Sequence, residues 1–160
     1  MRSRWVRTLL PVVGAAVLGN GFVGRESMAW FRDLRAPRMQ LPMPGFYAVG
    51  IAYYVAMGTV VARAVGREDW RTYRRAIVVL AGNEAWNAVF FGRRSARDGF
   101  LGILAFLPPL ALLQASVRDD EVSRRLVAAY STWVVAYDVP WTYRLWRLNE
   151  TSGDQVERTG

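Results

Sequence analysis

Residues 39–62 read MQLPMPGFYAVGIAYYVAMGTVVA, and not one of them is charged. An α-helix rises about 1.5 Å per residue, so a run of this length can cross the roughly 30 Å hydrocarbon core of a bilayer. Four other runs behave alike. Residues 8–24 and 99–117 carry no charge, 76–92 is interrupted only by Glu84, and 126–143 only by Asp138. A chain crossing lipid must satisfy its own backbone hydrogen bonds, which leaves helices or closed barrels. Barrel strands alternate with period two over about ten residues, and these runs do not. The expected fold is an all-α membrane protein, a bundle of five transmembrane helices with a longer first loop. Residues 1–149 form the transmembrane domain and 150–160 a disordered polar tail.

The charge lies between the runs. The chain holds 21 arginines, no lysine and 13 acidic residues, for a net charge of +8. Its arginines cluster at the ends of apolar runs, where long stems let the guanidinium reach the headgroups. A nucleic-acid stripe would follow one face instead. The expected partner is the lipid bilayer, with no nucleic acid, and the expected location is a bacterial cell membrane, crossed several times. Five helices would put eleven arginines on one side and ten on the other. That split is too even to orient the bundle. The first run follows Arg2, Arg4 and Arg7 without a small-residue cleavage site, so it is read as a retained helix.

Neither Cys nor His occurs. Thiolate chemistry, a Ser-His-Asp triad and the usual His or Cys ligation of zinc and haem are therefore excluded for this chain acting alone. No cofactor is required on this reading. Prolines set local expectations. Pro108 and Pro109 should kink the fourth helix, and Pro140, which cannot donate to the Ala136 carbonyl, should bend the fifth beside Asp138. A short interfacial helix around residues 30–34 would hold Trp30 and Phe31 at headgroup depth.

Three stretches then stand out. The first loop and second helix contain Trp30-Phe31, Leu34, Pro37, Pro42, Phe46, Tyr54 and Met57-Gly58; the third helix contains Asn83, Trp86 and Phe90-Phe91; the fifth contains Tyr130, Trp133 and Trp146 to Asn149. Together they resemble the tryptophan-rich sensory protein and translocator protein family, also called the peripheral benzodiazepine receptor family. Departures are visible too. The family's second-helix tryptophan falls on Gly50, the first of its proline pair on Leu41 and the proline opening its fifth-helix motif on Ala129. Between Trp133 and Asn149 the chain has one residue more than the family pattern. The resemblance implies a five-helix bundle, often a homodimer, with a pocket opening towards the first loop. It also implies ligands such as porphyrins, cholesterol-like lipids or benzodiazepine-type drugs, with transport, stress sensing or porphyrin breakdown as roles.

The residues carry their own argument. Asn83, Trp86, Asn87 and Phe90 fall at i, i+3, i+4 and i+7, one face of a helix. Amides facing hydrocarbon are costly, so that face should point inward, either joining helices or lining a pocket. Tyr130, Trp133, Tyr137 and Trp141 form an aromatic stripe that could pack, anchor or stack on a planar ligand. Glu84 and Asp138 are carboxyl groups within membrane helices, a functional signal by default. The alternative is a structural acid bonded to a neighbouring helix or to an arginine from a flank. Ala15 with Gly19 and Ala52 with Ala56 offer small-residue spacing for close helix contact, within the chain or between copies.

These observations lead to a candidate ligand site of Trp30, Tyr54, Asn83, Trp86, Asn87, Trp133, Tyr137 and Asp138. The expected function is binding of a hydrophobic planar molecule, a tetrapyrrole or sterol-like lipid, for transport or stress sensing. Two alternatives stand beside it: a membrane enzyme acting on a bound porphyrin, and a structural or signalling subunit without a ligand. No nucleophile–base pair or metal set is visible to favour the enzyme.

Overall fold

The computed structural model describes residues 2–157, with side chains described for 5–19 and 21–150. Among these residues every regular element is helical. The order is α1 (Arg2–Gly21), α2 (Arg25–Asp33), α3 (Met43–Gly66), α4 (Trp70–Asn87), α5 (Ala96–Ser116), α6 (Glu121–Trp133) and α7 (Val139–Glu157). A π-helical turn at Ala88–Gly92 extends α4, and another at Val134–Asp138 joins α6 to α7. Of the tail expected at 150–160, the backbone to Glu157 continues α7, and 158–160 lie outside the described residues.

Five long rods and the short α2 make six helical segments rather than five. Among the described residues, only α3 and α5 are by themselves long and apolar enough to cross a membrane, and the apolar part of α1 is the shorter Trp5–Gly19. The physical reason lies at the polar ends. The α4 rod starts with Arg71, Arg74 and Arg75, and the α6–α7 rod carries charges at both ends, so each reads as a helix longer than its apolar run. What faces outward is apolar nonetheless. Leu10 and Val17 on α1 and Ile51 and Val55 on α3 are each about two-thirds exposed. Such faces suit lipid, since a soluble monomer rarely exposes contiguous apolar patches of this kind.

Local chemistry explains the boundaries. Asp69 caps α4 by accepting from the Thr72 backbone N–H at 3.0 Å, and Ser95 caps α5 by accepting from the Asp98 N–H at 3.1 Å. Both satisfy donors that a helix start leaves free. The chain reverses before each of these helices through one left-handed residue, Glu68 (φ 58°) or Arg94 (φ 50°). α5 continues as one helix through Pro108 and Pro109.

Where Pro140 was expected to bend the last rod, the structure has the π turn. The Val139 N–H reaches the Val134 carbonyl, five residues back. A turn closed at five residues holds one more than an α-turn. Such a turn has room for the one residue by which the stretch from Trp133 to Asn149 exceeds the pattern it resembles. Asn149 then meets the first loop, donating to the Arg35 carbonyl at 3.2 Å and accepting from its N–H at 2.9 Å.

Two hydrophobic clusters fill the bundle. The larger runs through Met57, Val60, Val61, Val79, Leu80, Phe106 and Leu113, contributed by α3, α4 and α5. The smaller is aromatic, centred on Phe31, Phe90 and Trp141. It seats α2, whose Phe31 is buried. Its ring centroid lies about 6 Å from those of Phe90 and Phe91. Of the small-residue pairs, Ala15–Gly19 is spent within the chain, with Ala15 buried in the core and Gly19 against Glu84. Ala52 stays exposed on α3.

At the opposite end from α2, Arg63 closes α3 onto the start of α6. Its Nε lies 2.7 Å from Asp120 Oδ2 and its guanidinium NH2 2.6 Å from Oδ1, while Ser123 donates to Oδ2 at 2.8 Å. These hydrogen bonds, the guanidinium's above all, hold the Asp120 carboxyl well below its usual range. A carboxyl with a depressed folded-state pKa contributes stability above its unfolded value of about 3.9 and loses it as pH falls below that. Thermal unfolding in detergent should show an acid limb starting near pH 4. Asp120→Asn should be less stable at pH 7 and should show a shallower limb. An unchanged limb in that variant would remove the pair from the acid transition.

Candidate functional site

A cavity of about 230 Å³ opens between α1, α3, α4 and the α6–α7 rod, roofed by α2. Its walls are largely apolar and aromatic, with a few polar groups, the usual make-up of a small-molecule site. Tyr54, Asn83, Trp86, Asn87, Trp133 and Asp138 of the sequence-based set line it. Trp30 and Tyr137 do not. Trp30 packs edge-on against Phe90 at 5.3 Å, behind the wall. Tyr137 stacks between Trp133 and Trp141, at 4.4 and 6.3 Å. Its hydroxyl donates to the Met39 carbonyl at 3.1 Å and accepts from the Leu41 N–H at 2.9 Å. It therefore fastens the first loop over the cavity without facing into it.

Glu84 lies directly behind the polar wall and is buried, 7% exposed. Tyr54 donates to its Oε1 at 2.7 Å, Asn83 to the same oxygen at 3.1 Å and Asn87 to Oε2 at 3.1 Å. No arginine completes the cluster among the described contacts; neighbouring α3 and α4 side chains do. The Tyr130 hydroxyl adds a bond to Asn83 Oδ1 at 3.4 Å from α6. Gly19 on α1 makes room for all of this, because a Cβ there would sit 1.7 Å from Glu84 Oε2. One acid thus draws groups from three helices together.

The π turn of α4 changes which aromatic faces the cavity. Simple helical spacing puts Phe90 on the face of Asn83, Trp86 and Asn87. The wider turn at 88–92 rotates the next residue in, so Phe91 lines the cavity and Phe90 is fully buried beneath it. Phe90 stacks on Trp86 at 5.0 Å with rings 12° apart, and the Trp86 indole donates to the Gly99 carbonyl at 2.8 Å. The lining also includes Met28, Phe31, Phe46 and Tyr53, which spacing alone does not mark. Among the described residues no three of His, Cys, Asp or Glu come together as metal ligands.

A family model described as the TspO/MBR family matches residues 7–147, a stretch that contains every residue lining the cavity. No curated protein matches the chain.

Proposed function

The chain belongs to the TspO/MBR family, and from that premise we propose that it is a multi-pass protein of the bacterial cell membrane that binds a hydrophobic, planar small molecule. A tetrapyrrole or sterol-like lipid is the ligand class, and transport or stress sensing the role. The observation that carries this reading is the single cavity that gathers the aromatic-polar faces of α4 and α6–α7 opposite Tyr54. Flat π faces such as Trp86, Trp133 and Trp141 supply most of the contact area, and the amides and the acid orient what enters.

Size refines the proposal. At about 230 Å³ the cavity is smaller than the roughly 300–1,000 Å³ of drug-sized sites. One edge of a macrocycle can enter while the remainder extends past Tyr47, which is 60% exposed at the mouth. Titration with protoporphyrin tests this. Tryptophan quenching should saturate in the micromolar range, and Trp86→Ala combined with Trp133→Ala should weaken binding by about tenfold or more, since each lost aromatic contact costs on the order of 1 kcal/mol. Linear quenching, or quenching indifferent to both changes, would mean the porphyrin only partitions into the micelle.

A further inference from the structure

The cavity's hydrogen-bond donors are already committed. Tyr53 donates to the Val79 carbonyl at 3.4 Å, Tyr54 to Glu84 at 2.7 Å and Tyr130 to Asn83 at 3.4 Å. Trp86 donates to the Gly99 carbonyl at 2.8 Å and Trp141 to Gln40 Oε1 at 3.3 Å. Trp133 is the hydrogen-bonding neighbour of Asp138. Apart from Tyr47 at the mouth, every phenol and indole on the wall is thus turned to a protein acceptor. One amide proton on each of Asn83 and Asn87 is spent on Glu84 as well.

What the wall offers in return is acceptor capacity. The Asp138 carboxyl lines the cavity, and the Glu84 carboxyl backs it. None of the lining residues among those described is basic. Asp138 sits on the π turn between Trp133 and Trp141, both of which also line the cavity. An acid in an aromatic wall with no basic neighbour is a setting for a cation, because its charge and the nearby ring quadrupoles attract it. A carboxylate at the same depth would meet a second acid with only the remaining amide protons of Asn83 and Asn87 to greet it, an arrangement that disfavours binding.

We propose that the cavity is entered donor-first, by a planar, lipophilic, basic molecule whose protonated nitrogen rests against Asp138. This inference rests on the ligand-binding reading above and narrows it. The part of a ligand that goes deepest is cationic or hydrogen-bond donating, and any carboxylates it carries stay outside the mouth.

Three fluorescent probes of one shape test it: 9-aminoacridine, which is cationic at neutral pH, neutral acridine, and acridine-9-carboxylate. Each is titrated into the full chain in zwitterionic nanodiscs, with protein-free discs subtracted for partitioning. The wild type should bind aminoacridine about tenfold or more tightly than the carboxylate. Asp138→Asn should bring the two within about twofold of each other, and Asp138→Glu should keep the preference. The ratio is the readout, so a loss of pocket stability that weakens all three probes alike does not mimic the effect. A carboxylate that binds as tightly as the amine, or a preference that survives Asp138→Asn, overturns the inference. If acridine saturates with no charge preference, the charge argument falls and the pocket reading stands. If none of the three saturates, both fall.

Discussion

Glu84→Ala is expected to cost about 3 kcal/mol and to abolish ligand binding, because it leaves Tyr54 and both amides with no acceptor in a part-buried cluster. Each orphaned donor carries a penalty of roughly 1–3 kcal/mol. For a chain of this size the loss corresponds to a fall in Tm of around 10 °C. The same three side chains form the polar wall of the cavity, so binding should fail with stability. Glu84→Gln is the sharper variant. It keeps one oxygen to accept from Tyr54 but turns an amide donor towards Asn87, so it should lose about half as much. Thermal unfolding of the three proteins in one detergent orders them. An alanine variant as stable as the wild type would mean that the cluster does not join α1, α3 and α4.

Gly19 belongs to the same argument. With a Cβ at 19, Glu84 must swing away because its carboxyl oxygen occupies the space. Nothing in the spacing of Ala15 and Gly19 says which helix they meet, since small pairs serve contacts within a chain and between chains alike. The polar groups of α4 were legible for a different reason. Amides at i and i+4 beside a tryptophan cannot face hydrocarbon, so Asn83, Trp86 and Asn87 had to point inward whatever they met.

The long rods were legible from charge-free runs because each run marks the part of a helix that avoids water. Arg71, Arg74 and Arg75 mark the flank of the α4 rod, and the Asp69 cap fixes where that rod begins. Periodicity failed at the two π turns, and for one cause. A pattern counted at 3.6 residues per turn is rotated by any turn that holds an additional residue. Residues before the turn at 88–92 fall where spacing puts them, whereas Phe90 and Phe91 exchange roles. On the last rod the additional residue is visible as a slip against the family pattern, and the π turn at Val134–Asp138 has room for one such residue. Trp30 and Tyr137 illustrate a further limit. Their composition suits a ligand wall, yet one packs behind Phe90 and the other holds the first loop.

Gly99→Ala should be a strongly damaging single-methyl change, at about 3 kcal/mol, the upper end of the usual range for overpacking. A Cβ at 99 would lie 2.3 Å from Phe90 Cδ2 and 3.0 Å from Cε2. The ring cannot give way. Trp86 stacks on one side of it, and Trp30, Phe91 and Trp141 close in within 6.0 Å between centroids. Relief therefore requires α4 and α5 to separate, which stretches the bond from Trp86 to the Gly99 carbonyl and distorts the cavity wall. Gly14→Ala is the natural contrast. A Cβ there meets nothing within 4 Å, so that change should stabilise α1 by about 0.5–1 kcal/mol through helix propensity. Phe90→Leu combined with Gly99→Ala should cost less than the sum of the single changes, because the smaller side chain vacates the space the methyl needs. Additive costs would mean that the strain of Gly99→Ala is relieved somewhere other than at Phe90. A Gly99→Ala protein as stable as Gly14→Ala would show that α4 and α5 do not approach through this glycine at all.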